Sequence, residues 1–150
     1  MNARAIPQLD ISAKLVNQWE QVSSKLEAIA EAIPAQKFDF RPAEQVRTVA
    51  EVLRHVAFWN LYVADSLRDR KTETSANELP KEKYATKPEI LSALKGSASQ
   101  AAEALRGSSS ALSEEAAEMV VTFLEHNCEH YGQLAVYARL NRIVPPASRG

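Results

Sequence analysis

A single cysteine, Cys128, among 150 residues excludes an internal disulfide and any multi-cysteine metal knuckle, so a metal held by this chain must be held by histidine or carboxylate. Positive charge is not in excess either. Lysine and arginine together number 18 against 19 acidic residues, the formal net charge is −1, and the cations are scattered rather than gathered into a stripe. Such a surface is not built to neutralise a run of phosphates, and no nucleic-acid partner is expected. No stretch approaches the ~20 apolar residues that span a bilayer, and "MNARAIPQLDIS" at the start lacks the apolar run of a signal peptide. The expectation is a cytoplasmic protein with no membrane partner. Convincing strand patterns are missing as well.

What the chain has is helical periodicity. An apolar share of 45% with 25% charged residues is that of an ordinary globular protein, and the length suits one domain over residues 1–150. From Asp10, a candidate N-cap, Ile11, Leu15, Trp19, Val22, Leu26, Ile29 and Ile33 recur every three or four residues and predict a helix over about 10–33, stopped by Pro34. "PAQKFDFRPAEQVR" reads as a connector. Thr48 and Glu51 form a capping box for a second helix over about 48–70, with a stripe of Val49, Val52, Val56, Trp59, Val63 and Leu67. It fades into "RDRKTETSANELPKEKYATK", expected to be a solvated loop. Thr86, Pro88 and Glu89 open a third helix over about 87–106, which Gly107 is expected to end from the C′ position. A fourth, over about 113–141, carries Val120, Leu124, Asn127, Tyr131, Leu134 and Ala138 on one face, and the prolines of "IVPPAS" stop it. Four long amphipathic helices without strands make an all-α four-helix bundle. With connectors this long, helix order and handedness stay open.

Two of the three histidines, His126 and His130, stand four residues apart on the fourth helix. Positions i and i+4 differ by about 40° around a helix and about 6 Å along it, so both rings can aim at one point. The third, His55, borders the apolar stripe of the second helix. Three neutral imidazoles with an open fourth position are a familiar ligand set for a divalent metal. Histidines on the flank of a core, satisfied by hydrogen bonds, fit the same spacing, and both readings stand at this point.

Several neighbours invite comparison. Gln133 lies near the direction of His126 and is a candidate for fixing a ring by a hydrogen bond, or for an ordinary contact at the helix end. Trp59, Tyr62, Phe123 and Tyr137 could wall a pocket over the open position, or simply pack the core. Cys128 is expected to be a buried thiol acting as a small hydrophobe. Arg41 and Arg47 are expected to pair with carboxylates or helix-end carbonyls near the connector, with a site for an anionic substrate as the other reading. "GSSSALS" reads as a loop with a helix cap, not as a catalytic serine.

"KFDFRPAEQVRTVAEVLRHVAFWN" (37–60) followed by "HNCEHYGQLAVYARLNRIVPPAS" (126–148) resembles the DinB-like family, named for DNA-damage-inducible proteins. The resemblance rests on "RP" and a downstream arginine ahead of one histidine, then His-x-x-x-His, "YGQL" and a closing "PP". It implies a four-helix bundle whose metal ligands are one histidine of the second helix and two of the fourth, matching His55, His126 and His130. Many relatives have adjacent histidines where this chain has Glu129-His130. Glu129 projects away from the shared direction, so the ligand set should survive, with Glu129 facing solvent or an interface. The resemblance further implies a homodimer and a metal-dependent transferase or hydrolase acting on a small molecule, with a low-molecular-weight thiol as one version. A non-catalytic, stress-associated metal-binding bundle is the alternative. Zinc or nickel, and also iron or copper, suit three imidazoles.

Overall fold

A computed structural model describes residues 11–108 and 112–150. It contains four long helices, α1 (Ile11–Ala32), α2 (Val49–Ser66), α3 (Lys87–Gly107) and α4 (Glu114–Leu140), with short 3₁₀ turns at Ala35–Lys37 and Pro146–Ser148 and no strand among the described residues. The candidate cap Asp10 and residues 109–111 of the serine run lie outside the described residues.

The ends follow local chemistry. The Thr48 amide donates to Glu51 Oε2 at 2.7 Å while the Glu51 amide donates to Thr48 Oγ1 at 3.2 Å, which satisfies two amides that the first turn of α2 leaves unpaired. At α3 the Glu89 carboxylate takes both the amide and the hydroxyl of Thr86, each at 2.8 Å. Ser113 accepts from the Ala116 amide at 3.1 Å and starts α4.

Two ends differ from expectation. The second helix stops at Ser66 rather than near 70, because Asp69 turns left-handed (φ 55°) and the Arg70 amide reaches back to the Asp65 carbonyl at 2.9 Å, closing the helix. Gly107 is the last helical residue rather than a left-handed C′ glycine. The termination falls to Ser108, whose amide and hydroxyl both donate to the Ala104 carbonyl, at 3.1 and 2.9 Å.

Helix order, open in the sequence, is settled by packing. α1 and α2 each lie against both α3 and α4, so α1 is diagonal to α2 and α3 to α4. One cluster of buried side chains runs through all four helices, with Trp19, Leu26, Ile29, Leu53, Val56, Ile90, Leu94, Leu105, Val120 and Leu134 among its members. Trp19 also donates from Nε1 to the Ala98 carbonyl at 3.1 Å, which pins α1 to α3. Ile11 falls off the end of its stripe and is 51% exposed.

The loop after α2 is not simply solvated. Leu79, 8% exposed, packs with Ala57 and Phe58 on the side of α2 that its apolar stripe leaves uncovered. That contact draws Asn77 and Glu78 over the helix. Cys128 is exposed rather than buried, since it falls with Glu125, Glu129 and Gly132 on the outward side of α4.

Replacing Trp19 with alanine removes a fully buried ring and its hydrogen bond, and should lower the unfolding free energy in urea by about 3–5 kcal/mol. A loss under about 1 kcal/mol would contradict its place in the core.

Candidate metal centre

Because α2 and α4 are packing neighbours, His55 meets His126 and His130 across their interface. One ring nitrogen from each lies within 4.8 Å of the others, and the His55 and His126 Nε2 atoms are 2.9 Å apart. Among the described residues, no cysteine or carboxylate joins this group.

Where the protons sit on these rings follows from what the opposite nitrogens touch. His55 Nδ1 is 2.6 Å from the Asn77 backbone carbonyl, and a carbonyl can only accept, so Nδ1 carries the hydrogen and Nε2 a lone pair. His130 reaches the same state through a relay. The Tyr137 hydroxyl donates to the Arg47 carbonyl at 2.9 Å and therefore accepts from Gln133 Nε2 at 2.8 Å. That orientation turns Gln133 Oε1 toward His130 Nδ1 at 2.8 Å, and Nδ1 must donate.

A longer relay serves His126. Ser97 Oγ donates to the Leu94 carbonyl at 2.9 Å and accepts from Asn60 Nδ2 at 3.4 Å; Asn60 Oδ1 accepts from Asn127 Nδ2 at 3.0 Å. Asn127 Oδ1 then faces His126 Nδ1 at 3.3 Å. Each relay ends on a backbone carbonyl, and each fixes the same tautomer.

All three Nε2 lone pairs therefore converge with no proton of their own to share. Two imidazole lone pairs 2.9 Å apart repel unless a cation lies between them. Three neutral imidazole nitrogens are the donor set of a three-histidine zinc-type site, and the residues present fit a divalent ion.

Electrostatics keeps the rings ready. Burial pushes His55 and His126 down from 6.5 to about 4, and the Arg47 guanidinium and the neighbouring rings add to the shift. His130 is lowered as well, by burial first, with its Gln133 bond acting in the opposite sense. Unprotonated imidazole is the form a metal needs.

Aromatic side chains stand on one side of the triad. Trp59 and Phe123 stack with centroids 5.2 Å apart, Tyr62 lies 5.2 and 5.4 Å from them, and Phe123 is 5.7 Å from His126. Trp59 Nε1 donates to the Asn77 side chain at 2.8 Å, so Asn77 holds both the wall and His55. Tyr137 stands apart from this wall, buried and edge-on to Phe40 at 5.8 Å, with its hydroxyl in the Gln133 relay. Arg41 donates to the Glu44 carbonyl and lies 3.8 Å from Glu51, while Arg47 lies 3.9 Å from Glu78; both pair as the sequence reading expected. Glu129 is exposed.

Asn60, Asn77 and Ser97 carry no motif that marks them, Asn127 stands in its helix's apolar stripe with no role implied, and the partly buried pair of Arg54 with Glu78 at 2.8 Å is equally unmarked. A signal existed for two of them, since Asn60 and Asn127 are polar residues on otherwise apolar helix faces. Leu79, alone in a polar stretch, could have marked the loop that carries Asn77.

Four helices around a three-histidine cluster define a bundle whose residues fit one divalent metal. A family model described as the DinB superfamily matches residues 18–134, which span most of α1 through His130, and the chain belongs to that superfamily. No curated protein matches the chain.

Since the folded state holds His55 and His126 below their ordinary value of 6.5, the unfolded chain binds more protons between pH 6.5 and about 4. Their stabilising contribution in the metal-free protein is complete above pH 6.5 and is lost as pH falls toward 4. NMR titration of that protein should find both imidazoles protonating near pH 4, and the melting temperature should fall over the same interval, less steeply in His126→Gln. Midpoints near 6.5 for both rings would contradict this arrangement.

Proposed function

We propose that the protein is a metal-dependent enzyme in which His55, His126 and His130 hold one divalent ion, zinc or nickel in preference to iron or copper. The observation that carries the reading is the convergence of three unprotonated Nε2 atoms, His55 and His126 at 2.9 Å, with no fourth side chain among the described residues to close the site. Three protein ligands leave a coordination position for water or substrate. A bound ion would supply Lewis acidity to a water or thiol at that position. The protein's own part is to fix the rings through Asn77, Gln133 and Asn127, and to present Trp59, Tyr62 and Phe123 as an apolar wall.

Membership of the DinB superfamily supports a small-molecule substrate, with transfer from a low-molecular-weight thiol or hydrolysis as the reaction. Homodimeric assembly and a cytoplasmic location belong to the same reading. No helix among the described residues is long and apolar enough to cross a membrane.

A second reading, an ion that only ties α2 to α4, is favoured by one observation. Every imidazole of the chain is spent as a ligand with its Nδ1 already bonded, and no carboxylate joins the group as a general base.

A screen of the metal-loaded protein against small electrophiles, with glutathione, coenzyme A, bacillithiol or mycothiol as donor and water as the control nucleophile, separates the two. Metal-dependent turnover that falls at least ~100-fold in His126→Ala, with the helical content retained, is the expected result. A metal that raises the melting temperature while no donor supports turnover would favour the structural ion.

A further inference from the structure

Arg47 occupies an unusual place beside the triad. It immediately precedes Thr48, the cap of α2, and its carbonyl anchors the relay through Tyr137 and Gln133 to His130. Its guanidinium leans toward Glu78, the neighbour of Asn77, whose carbonyl receives His55. Its backbone thus supports one ligand, while its side chain reaches the residue next to the support of another.

Among the described residues its charge has one distant carboxylate partner. The Arg47 to Glu78 contact is 3.9 Å, whereas Glu78 makes a 2.8 Å hydrogen bond to Arg54, which is 3% exposed and forms no other ion pair among the described residues. One carboxylate serves two guanidiniums. Glu51 is committed to the Thr48 cap and to Arg41. Arg47 remains 37% exposed at the side chain. Opposite in character is the flank made by Trp59, Tyr62 and Phe123, which offers ring faces and no charge.

We infer that Arg47 is a specificity-determining residue that holds an anionic group of the ligand, a carboxylate or phosphate, while the ligand's donor atom takes the open metal position and its apolar part meets Trp59 and Phe123. This rests on the metal reading proposed above. A guanidinium with an incompletely used fork is suited to bidentate capture of such an oxyanion.

The test uses the full-length protein loaded with cobalt(II), whose visible spectrum reports a ligand entering its coordination sphere. Metal content is measured first. Two hydroxamates are then compared: acetohydroxamate, and the monohydroxamate of succinate, which adds a carboxylate to the same metal-binding head. Wild type should bind the carboxylate-bearing probe at least ~10-fold more tightly. Arg47→Gln should lose that preference while keeping its cobalt and its affinity for acetohydroxamate within about twofold, and Arg47→Lys should retain part of the preference. Cobalt-loaded wild type without a preference, or Arg47→Gln weakening both probes alike, would overturn the role of Arg47 alone. Wild type that takes up no cobalt would remove the metal reading and this inference with it.

Discussion

A hydrogen bond into a backbone carbonyl has only one direction, and the site is built on three of them. The carbonyls of Asn77, Arg47 and Leu94 cannot donate, so every group that faces them, directly or through a relay, has its proton assigned. At the far ends of those relays the three Nδ1 atoms carry hydrogens and the three Nε2 atoms carry lone pairs. The anchors come from different parts of the chain: the connector before α2, the loop after it, and α3. The geometry of the three imidazoles is therefore coupled to the packing of α2 between its two neighbours.

That coupling explains why α2 is so deeply buried and so polar. Arg54, His55 and Asn60 all lie within it, buried, alongside its valines and leucines. Each polar group would be costly in such a place without a partner, and each has one: Glu78, Asn77 and the Ser97–Asn127 chain. The loop from Asn77 to Leu79 supplies two of these partners, and the apolar contact of Leu79 with Ala57 and Phe58 holds it there. A segment rich in polar residues thus folds onto the helix through one leucine.

The helices themselves were legible because burial on one face imposes a period of three and four, and because Thr48 with Glu51, and Thr86 with Glu89, announce their caps. Helix order was not, since periodicity says which face is buried and nothing about which neighbour buries it. The histidine spacing showed that His126 and His130 share a direction, while His55 joined them through family resemblance rather than through any local signal. Asn77 was hidden for a physical reason: its carbonyl, not its side chain, meets His55, and a backbone group leaves no mark in the residue type. A lone thiol is expected to pack as a small hydrophobe, yet 100° of rotation per residue carries Cys128 to the outward side with Glu129.

Whether the three Nε2 atoms hold one divalent ion is decided by X-ray absorption at the metal edge of zinc-reconstituted, untagged protein. One zinc per chain is expected, with a first shell of nitrogen and oxygen at about 2.0–2.1 Å and the outer-shell scattering of three imidazoles. Zinc that binds with sulfur in its shell, or with fewer than three imidazoles, would contradict it.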